Sequence, residues 1–199
     1  MIISIDGTLA SGKSTITKTL EEKYGFECIN TGIYFRKITL AYIKNKKNIN
    51  IKNRKKIYEI LKKNISNEHL FNTSVDLNVS KIASYKYIRK VVYDYLKIKI
   101  SKLKKTKIIL EGRDVFYEMK EYLDFSFFLD AKFEIRVKRR LKQNKNNNFD
   151  EIKDSVILRD KKDKVIYKDK LKSENNIIKI DTSYIKPKEV EKLIISKIM

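Results

Sequence analysis

Eight residues near the amino terminus constrain the chain more than any others. Gly7-Thr8-Leu9-Ala10-Ser11-Gly12-Lys13-Ser14 has the spacing G-x-x-x-x-G-K-[ST]. It follows the apolar run Ile2 to Ile5, which reads as a short buried strand. It precedes a helix expected from about Lys13 to Tyr24, with Ile16 and Leu20 four residues apart on one face. Strand, glycine loop and helix in that order form a phosphate cradle. The glycines let the backbone turn its amides towards phosphate oxygens, and the helix amino terminus adds favourable partial charge. Gly7, Thr8, Leu9, Ala10, Ser11, Gly12, Lys13, Ser14 and Thr15 are therefore the expected ATP-binding residues. Lys13 should reach the β- and γ-phosphates, Ser14 should ligate magnesium, and Thr15 is a weaker candidate for the α-phosphate.

The rest of the composition sets these residues in relief. The chain has 199 residues and a net charge of +21, yet only eight of its 46 basic residues are arginine, with five glycines and one proline. The lysines are spread over the whole length, so the charge reads as a solvated surface rather than a nucleic-acid stripe. The lone cysteine, Cys28, excludes an internal disulfide framework and a multi-cysteine zinc site. The apolar start ends at Asp6, and no later run reaches about 18 apolar residues, the length of a membrane span. A cytoplasmic protein with no membrane association is expected.

Further along, strands are expected at Phe26 to Ile29, Lys107 to Leu110, Phe125 to Leu129 and Ile177 to Ile180. Gly25 fits a helix stop. Thr31 opens a helix whose apolar positions include Ile33, Ile38, Ala41 and Tyr42. The polar stretch 45–80 suggests a helix at Lys55 to Lys63 and short strands around Leu70 to Val79. Ser80 can cap a helix carrying Ile88, Val91, Val92, Tyr95 and Leu96. Helices follow at Phe133 to Leu141, Phe149 to Ile166 and Pro187 to Ile198, with a low-complexity loop at Asn144 to Asn148. Strands alternating with helices imply an α/β fold, a parallel sheet covered on both faces, with ligands at the carboxyl ends of its strands.

A phosphate loop identifies a nucleotide, not a reaction. The chain has no base-reading N-K-x-D of a GTPase, and its Lys107 to Leu110 strand ends in Glu111-Gly112-Arg113-Asp114 rather than in the aspartate of a motor or transport ATPase. A compact kinase of a small acceptor fits better. The residues also resemble the bacterial cytidylate kinases, and the likeness runs through nearly the whole chain. Ile5-Asp6-Gly7 with Ser11-Gly12-Lys13-Ser14-Thr15 looks like that family's phosphate loop, and Thr31-Gly32-Ile33-Tyr34-Phe35-Arg36 resembles its T-G-x-x-Y-R motif. Val79-Ser80-x-Ile82-Ala83 with Ile88-Arg89, then Gly112-Arg113-Asp114-Val115, then Phe128-Leu129 with Ala131 and Arg136, follow in the family's order. Arg159-Asp160-x-x-Asp163 and Ile180-Asp181-Thr182-Ser183 complete it.

The resemblance implies a nucleoside monophosphate kinase fold with a five-stranded parallel core formed by residues 1–44, 81–142 and 167–199. It implies an acceptor-binding insert at 45–80 and a mobile lid at 143–166. It further implies that Thr31, Arg36, Ser80, Arg89, Arg113, Asp114, Arg159 and Asp163 contact a pyrimidine monophosphate, CMP or dCMP. Lys13, Arg136 and Arg159 would be catalytic, and magnesium would be held by Ser14, with Asp6 or Glu111 acting through water. Arginine suits bidentate contact with phosphate or a carbonyl edge, and Asp114 can accept from cytosine's exocyclic amine. Seven of the eight arginines lie in or beside these motifs; Arg54 does not.

Several positions depart from the family pattern. Phe35 replaces a tyrosine, Glu111 an aspartate, and Phe116-Tyr117 a glycine and threonine; Ile166 sits where a lid arginine is expected, and Lys170 replaces a proline. Lys162, Lys164 or Lys168 could supply the charge missing at 166. The expected partners are ATP and CMP or dCMP, with no specific nucleic acid, and a monomer. Two other readings stand beside this one: a kinase of the same fold acting on UMP, dTMP or a non-nucleotide alcohol, and a basic ATP-binding protein associated with nucleic acid, with weak or lost kinase activity.

Overall fold

A computed structural model describes residues 1–45, 52–104, 107–143 and 148–199, with every side chain among them except that of Ile166. Strand β1 (Ile2–Gly7) leads through the glycine loop into helix α1 (Lys13–Tyr24), which stops at Gly25 in the left-handed conformation, φ 71°. β2 (Glu27–Asn30) and α2 (Thr31–Lys44) follow, then α3 (Arg54–Lys62), α4 (Asn67–Leu70), α5 (Thr73–Ser84) and α6 (Lys86–Ser101). β3 (Ile108–Glu111), α7 (Val115–Glu118), β4 (Phe125–Asp130), α8 (Phe133–Gln143), α9 (Phe149–Ser173), β5 (Ile177–Asp181) and α10 (Pro187–Ile198) complete the chain.

The strands form one five-stranded sheet in the order β2-β3-β1-β4-β5, and β1 pairs in parallel with both β3 and β4, as does β4 with β5. A strand buried on both faces must be apolar throughout, which is how β3 reads at Ile108, Ile109 and Leu110. On one face α1 and α10 set Ile16, Leu20, Val190 and Ile194 against Ile3, Ile5, Ile109, Phe127 and Leu129. On the other, Phe116 of α7 and Tyr167 of α9 pack on Phe128. Because neighbouring strands run the same way, Gly7, Glu111 and Asp130 end at one edge of the sheet. The loops that leave this edge carry the site.

The described chain separates into two compact units, Met1–Ile29 with Lys105–Met199, and Asn30–Lys104. The first contains the sheet. The second is helical, with Ile38, Leu61, Leu70, Val75, Ile82, Ile88 and Val92 in its interior. It includes the described part of the 45–80 insert.

The structure corrects several expectations. Leu70 to Val79 holds no strand: Leu70 ends α4 and Thr73 begins α5, which Asn72 caps by accepting from the Val75 amide, and Val75, Val79 and Ile82 make a helical apolar face. The β-branched and aromatic residues of that stretch mimic a strand over so short a window. Ser80 therefore lies inside α5, and Tyr85 stands at the start of α6. In α2 the inward positions are Tyr34, Phe35, Ile38 and Leu40, whereas Ile33, Ala41 and Tyr42 are only half-buried. α9 runs on to Ser173, seven residues past Ile166. Asn148, the last residue of the expected loop, caps α9 by accepting from the Glu151 amide; residues 144–147 lie outside the described residues, as do 46–51 of the insert. Among the described residues no helix is long and apolar enough to cross a membrane.

Candidate active site

The phosphate loop is shaped by backbone. Gly7 has φ 149°, and a Cβ there would stand 2.0 Å from the Leu129 carbonyl oxygen of β4. Gly12 has φ 97°, a conformation that side chains disfavour. Between them Ala10 is itself left-handed, φ 59°. The Thr8 amide donates to Leu129, and the Ser11 hydroxyl donates to the Thr8 carbonyl at 2.9 Å. Thr182 of the turn after β5 donates its hydroxyl to the Ser11 carbonyl at 2.8 Å, and Arg139 of α8 donates to the Thr182 hydroxyl at 2.9 Å. Ser11 is thus tied to the turn after the last strand, and Arg139 also donates to the Ala10 carbonyl at 3.4 Å.

Lys13 folds back under this loop and donates to the carbonyls of Gly7 at 3.0 Å and Thr8 at 2.7 Å. Burial lowers its pKa from 10.5 to about 7, with the neighbouring Arg113 guanidinium adding to the effect. A phosphate chain against the ammonium would reverse that shift.

The next residue, Ser14, donates to Glu111 at the end of β3 at 2.8 Å, and Thr17 one turn on donates to the other Glu111 oxygen at 3.1 Å. A hydroxyl and a carboxylate so placed beside a phosphate loop fit magnesium, which takes few protein ligands and fills its shell with phosphate oxygens and water. Asp6 is turned elsewhere. Its two oxygens accept from the amides of Val115 and Phe116, both at 2.9 Å, and so hold the start of α7. Burial outweighs those two bonds and pushes its pKa up to about 7.

α9 brings charge to the same strand ends. Arg113 donates to the Gly7 carbonyl at 2.8 Å and pairs with Asp163 at 3.1 Å, and Arg159 meets the same carboxylate at 3.1 Å. Arg136 of α8 forms a fork with Asp160 at 2.9 and 2.6 Å and donates to the Ala131 carbonyl. Asp114, 1 % exposed, meets the ammonium of Lys170 at 2.8 Å, and that ammonium also meets Glu118 at 2.5 Å. The structure therefore gathers Lys13, Ser14, Arg113, Asp114, Arg136, Arg159 and Asp163 around the carboxyl ends of β1, β3 and β4.

In the second unit, Arg36 pairs with Asp76 at 2.7 Å, donates to the Leu70 carbonyl and lies over Phe71. Arg89 lies over Phe35 and Tyr93 and donates to the Ala83 carbonyl. Thr31 and Ser80 are buried in the same unit.

Sequence reasoning passed over Asp160, Glu118, Thr17 and Thr182 as partners. It named Lys170 only as a replacement for a proline, whereas Lys170 is the lysine that reaches Asp114. The signal was there in part, since 163, 167 and 170 keep helical spacing once α9 extends past Ile166.

The sheet order, the glycine loop over Lys13 and the arginines on α8 and α9 define a phosphate-loop kinase. The chain of a solved structure described as deoxyadenosine kinase from M. mycoides with bound dATP shares this fold, at 14 % identity and TM-score 0.52 over all of this chain and 99 % of that one. A sequence model of the family described as cytidylate kinase matches residues 3–199, and the chain belongs to that family. Curated relatives agree. The cytidylate kinase of Mesoplasma florum is 33 % identical over 100 % of this chain and 95 % of its own length. That of Borrelia turicatae is 33 % identical over 92 % of this chain and 90 % of its own. The chain is thus a nucleoside monophosphate kinase, an enzyme of phosphoryl transfer between nucleotides.

Proposed function

We propose that the enzyme transfers the γ-phosphoryl group of ATP to CMP and dCMP, giving CDP or dCDP and ADP. The observation that carries the acceptor choice is Asp114, a buried carboxylate at the end of β3 held by Lys170 beside Arg113. An anionic acceptor favours cytosine, whose exocyclic amine donates, over uracil, which offers a carbonyl at that position. The family membership and the names of its relatives support the same reading.

The acceptor phosphate is already an oxyanion near neutral pH, so no strong general base is needed and catalysis is positioning plus electrostatics. Lys13 meets the β- and γ-phosphates. Ser14 would hold magnesium, with Glu111 orienting its water; Asp6, committed to α7, fits that role less well. When bound, magnesium would draw charge from the β- and γ-phosphate oxygens. Arg136 and Arg159, kept in place by Asp160 and Asp163, offset charge on the transferring group. Thr31, Arg36, Ser80, Arg89, Arg113, Asp114, Arg159 and Asp163 form the acceptor set, 143–166 the lid and 45–80 the acceptor insert. The reading places a monomeric enzyme in the cytoplasm.

The test is ADP release over a panel of nucleoside monophosphates, with Asp114→Asn beside the unaltered enzyme. CMP and dCMP should be preferred, and Asp114→Asn should lower kcat/KM for CMP on the order of a hundredfold while changing UMP far less. Equal rates on CMP and UMP in the unaltered enzyme would refute the acceptor assignment.

A further inference from the structure

We propose that Lys170 is a specificity-positioning residue, whose ammonium orients the Asp114 carboxylate that reads the acceptor base. This rests on the reading of Asp114 as the base-reading group. The geometry has three parts. First, Lys170 bridges Asp114 at 2.8 Å and Glu118 at 2.5 Å, so one cation fixes two carboxylates on one short segment, residues 114–118. Second, the same ammonium lies 4.5 Å from the centre of the Tyr117 ring, which limits where it can go. Third, Asp114 is almost wholly buried, so the direction of its carboxylate is set by its protein partners and not by water.

The positions involved are among those that depart from the family pattern. Tyr117 and Lys170 both do so, and they are in contact. The Tyr117 ring supplies a face for the ammonium, and the ammonium supplies an anchor for Asp114. Glu118 gives the ammonium a second carboxylate partner, which further fixes its position beside Asp114. With a proline at position 170 neither contact could form.

Lys170 does not touch the transferring phosphoryl group in this scheme. It acts through Asp114, so its loss should appear in acceptor binding and acceptor choice before it appears in the chemical step. An amine on the base and a lysine both donate to Asp114, and the lysine selects the oxygen direction that the base then meets.

The experiment compares Lys170→Met, Lys170→Arg and Glu118→Gln with the unaltered enzyme, measuring ADP release with CMP and with UMP. For Lys170→Met, KM for CMP should rise on the order of tenfold, with kcat at saturating CMP within about threefold and KM for ATP unmoved. The CMP-over-UMP ratio of kcat/KM should fall by a similar factor. Lys170→Arg should recover most of it, and Glu118→Gln should give a smaller shift the same way. A Lys170→Met enzyme whose CMP-over-UMP ratio equals that of the unaltered enzyme, while Asp114→Asn lowers that ratio, overturns the role of Lys170 and leaves the reading of Asp114 intact. If Asp114→Asn itself leaves the ratio unchanged, the reading of Asp114 falls and this proposal with it. Equal losses on CMP and UMP, unrelieved by Lys170→Arg, mark a merely structural lysine and also overturn it; Glu118→Gln carries the test if Lys170→Met does not fold.

Discussion

The loop after β1 and the turn after β3 lie side by side, since Ile5 and Glu111 are paired in the sheet, yet they are built from different materials. The first is held by main chain. Gly7 must let the Leu129 carbonyl approach, and Lys13 answers to carbonyl oxygens of its own loop. The second is held by side-chain charge from distant elements: Asp6 on the amides of α7, Asp163 on Arg113, and Lys170 on Asp114. A backbone-built site is intolerant at one or two glycines, because much of what holds it is main chain, its own and that of β4. A charge-built site depends on partners far along the chain, 56 residues on for Lys170 and Asp114 and 109 for Asp6 and Val115.

The comparison makes its largest demand at Gly7. Gly7→Ala would put a Cβ against a fixed backbone oxygen at a strained φ, and stability should fall by about 4 kcal/mol in urea denaturation. A loss below about 1 kcal/mol would show that the loop can relax, and that its main-chain construction is looser than described. Next comes Asp163→Ala, which leaves two arginines without their shared carboxylate; a loss of about 3 kcal/mol is expected in the same assay. Asp163→Asn should cost less than the alanine variant, because the amide oxygen still accepts from both.

The comparison also bears on pH. Asp6, with its pKa raised to about 7, takes up a proton in the folded state over a range where the unfolded chain has already lost it. Its contribution to stability therefore falls as pH rises from about 4 to about 7. Lys13, lowered to about 7, has the opposite consequence: the unfolded chain holds the proton between pH 7 and 10.5, so stability rises with pH there. These two groups together place a minimum of stability near neutrality in the protein without nucleotide. Thermal melting across pH should show Asp6→Asn flattening the acid side and Lys13→Met the alkaline side; the same curve in all three proteins would contradict both shifts.

The same division explains what the sequence made legible. The phosphate loop could be read because its geometry needs glycine at fixed spacing, and all five strand positions follow from short, largely apolar runs, with α1 and α10 read from apolar residues at helical spacing. Residues 70–79 could not, because Val75, Val79 and Ile82 declare a helix only once Asn72 is known to cap it. The arginines were legible as a group, being rare in a lysine background. Their partners were not: Asp160 and Asp163 look alike in sequence, and only the packing of α9 sends one to Arg136 and the other to Arg113. Lys170 was hidden for a further reason, since the helix that carries it runs past the residue at which the sequence suggested a stop.

That added length of α9 has one more consequence. Arg159, Asp160, Asp163, Tyr167 and Lys170 fall within an arc of roughly 100° when projected down a helix that advances about 100° per residue. Their contacts with α8, β4 and the turn after β3 therefore share a single rotational phase. Deleting one residue between 163 and 167 would turn everything beyond it by about the width of the whole arc. Point substitutions can thus adjust this edge of the site one contact at a time, whereas a one-residue deletion or insertion there would withdraw Tyr167 and Lys170 together, so this stretch of α9 should be far less tolerant of a change in length than of a change in residue.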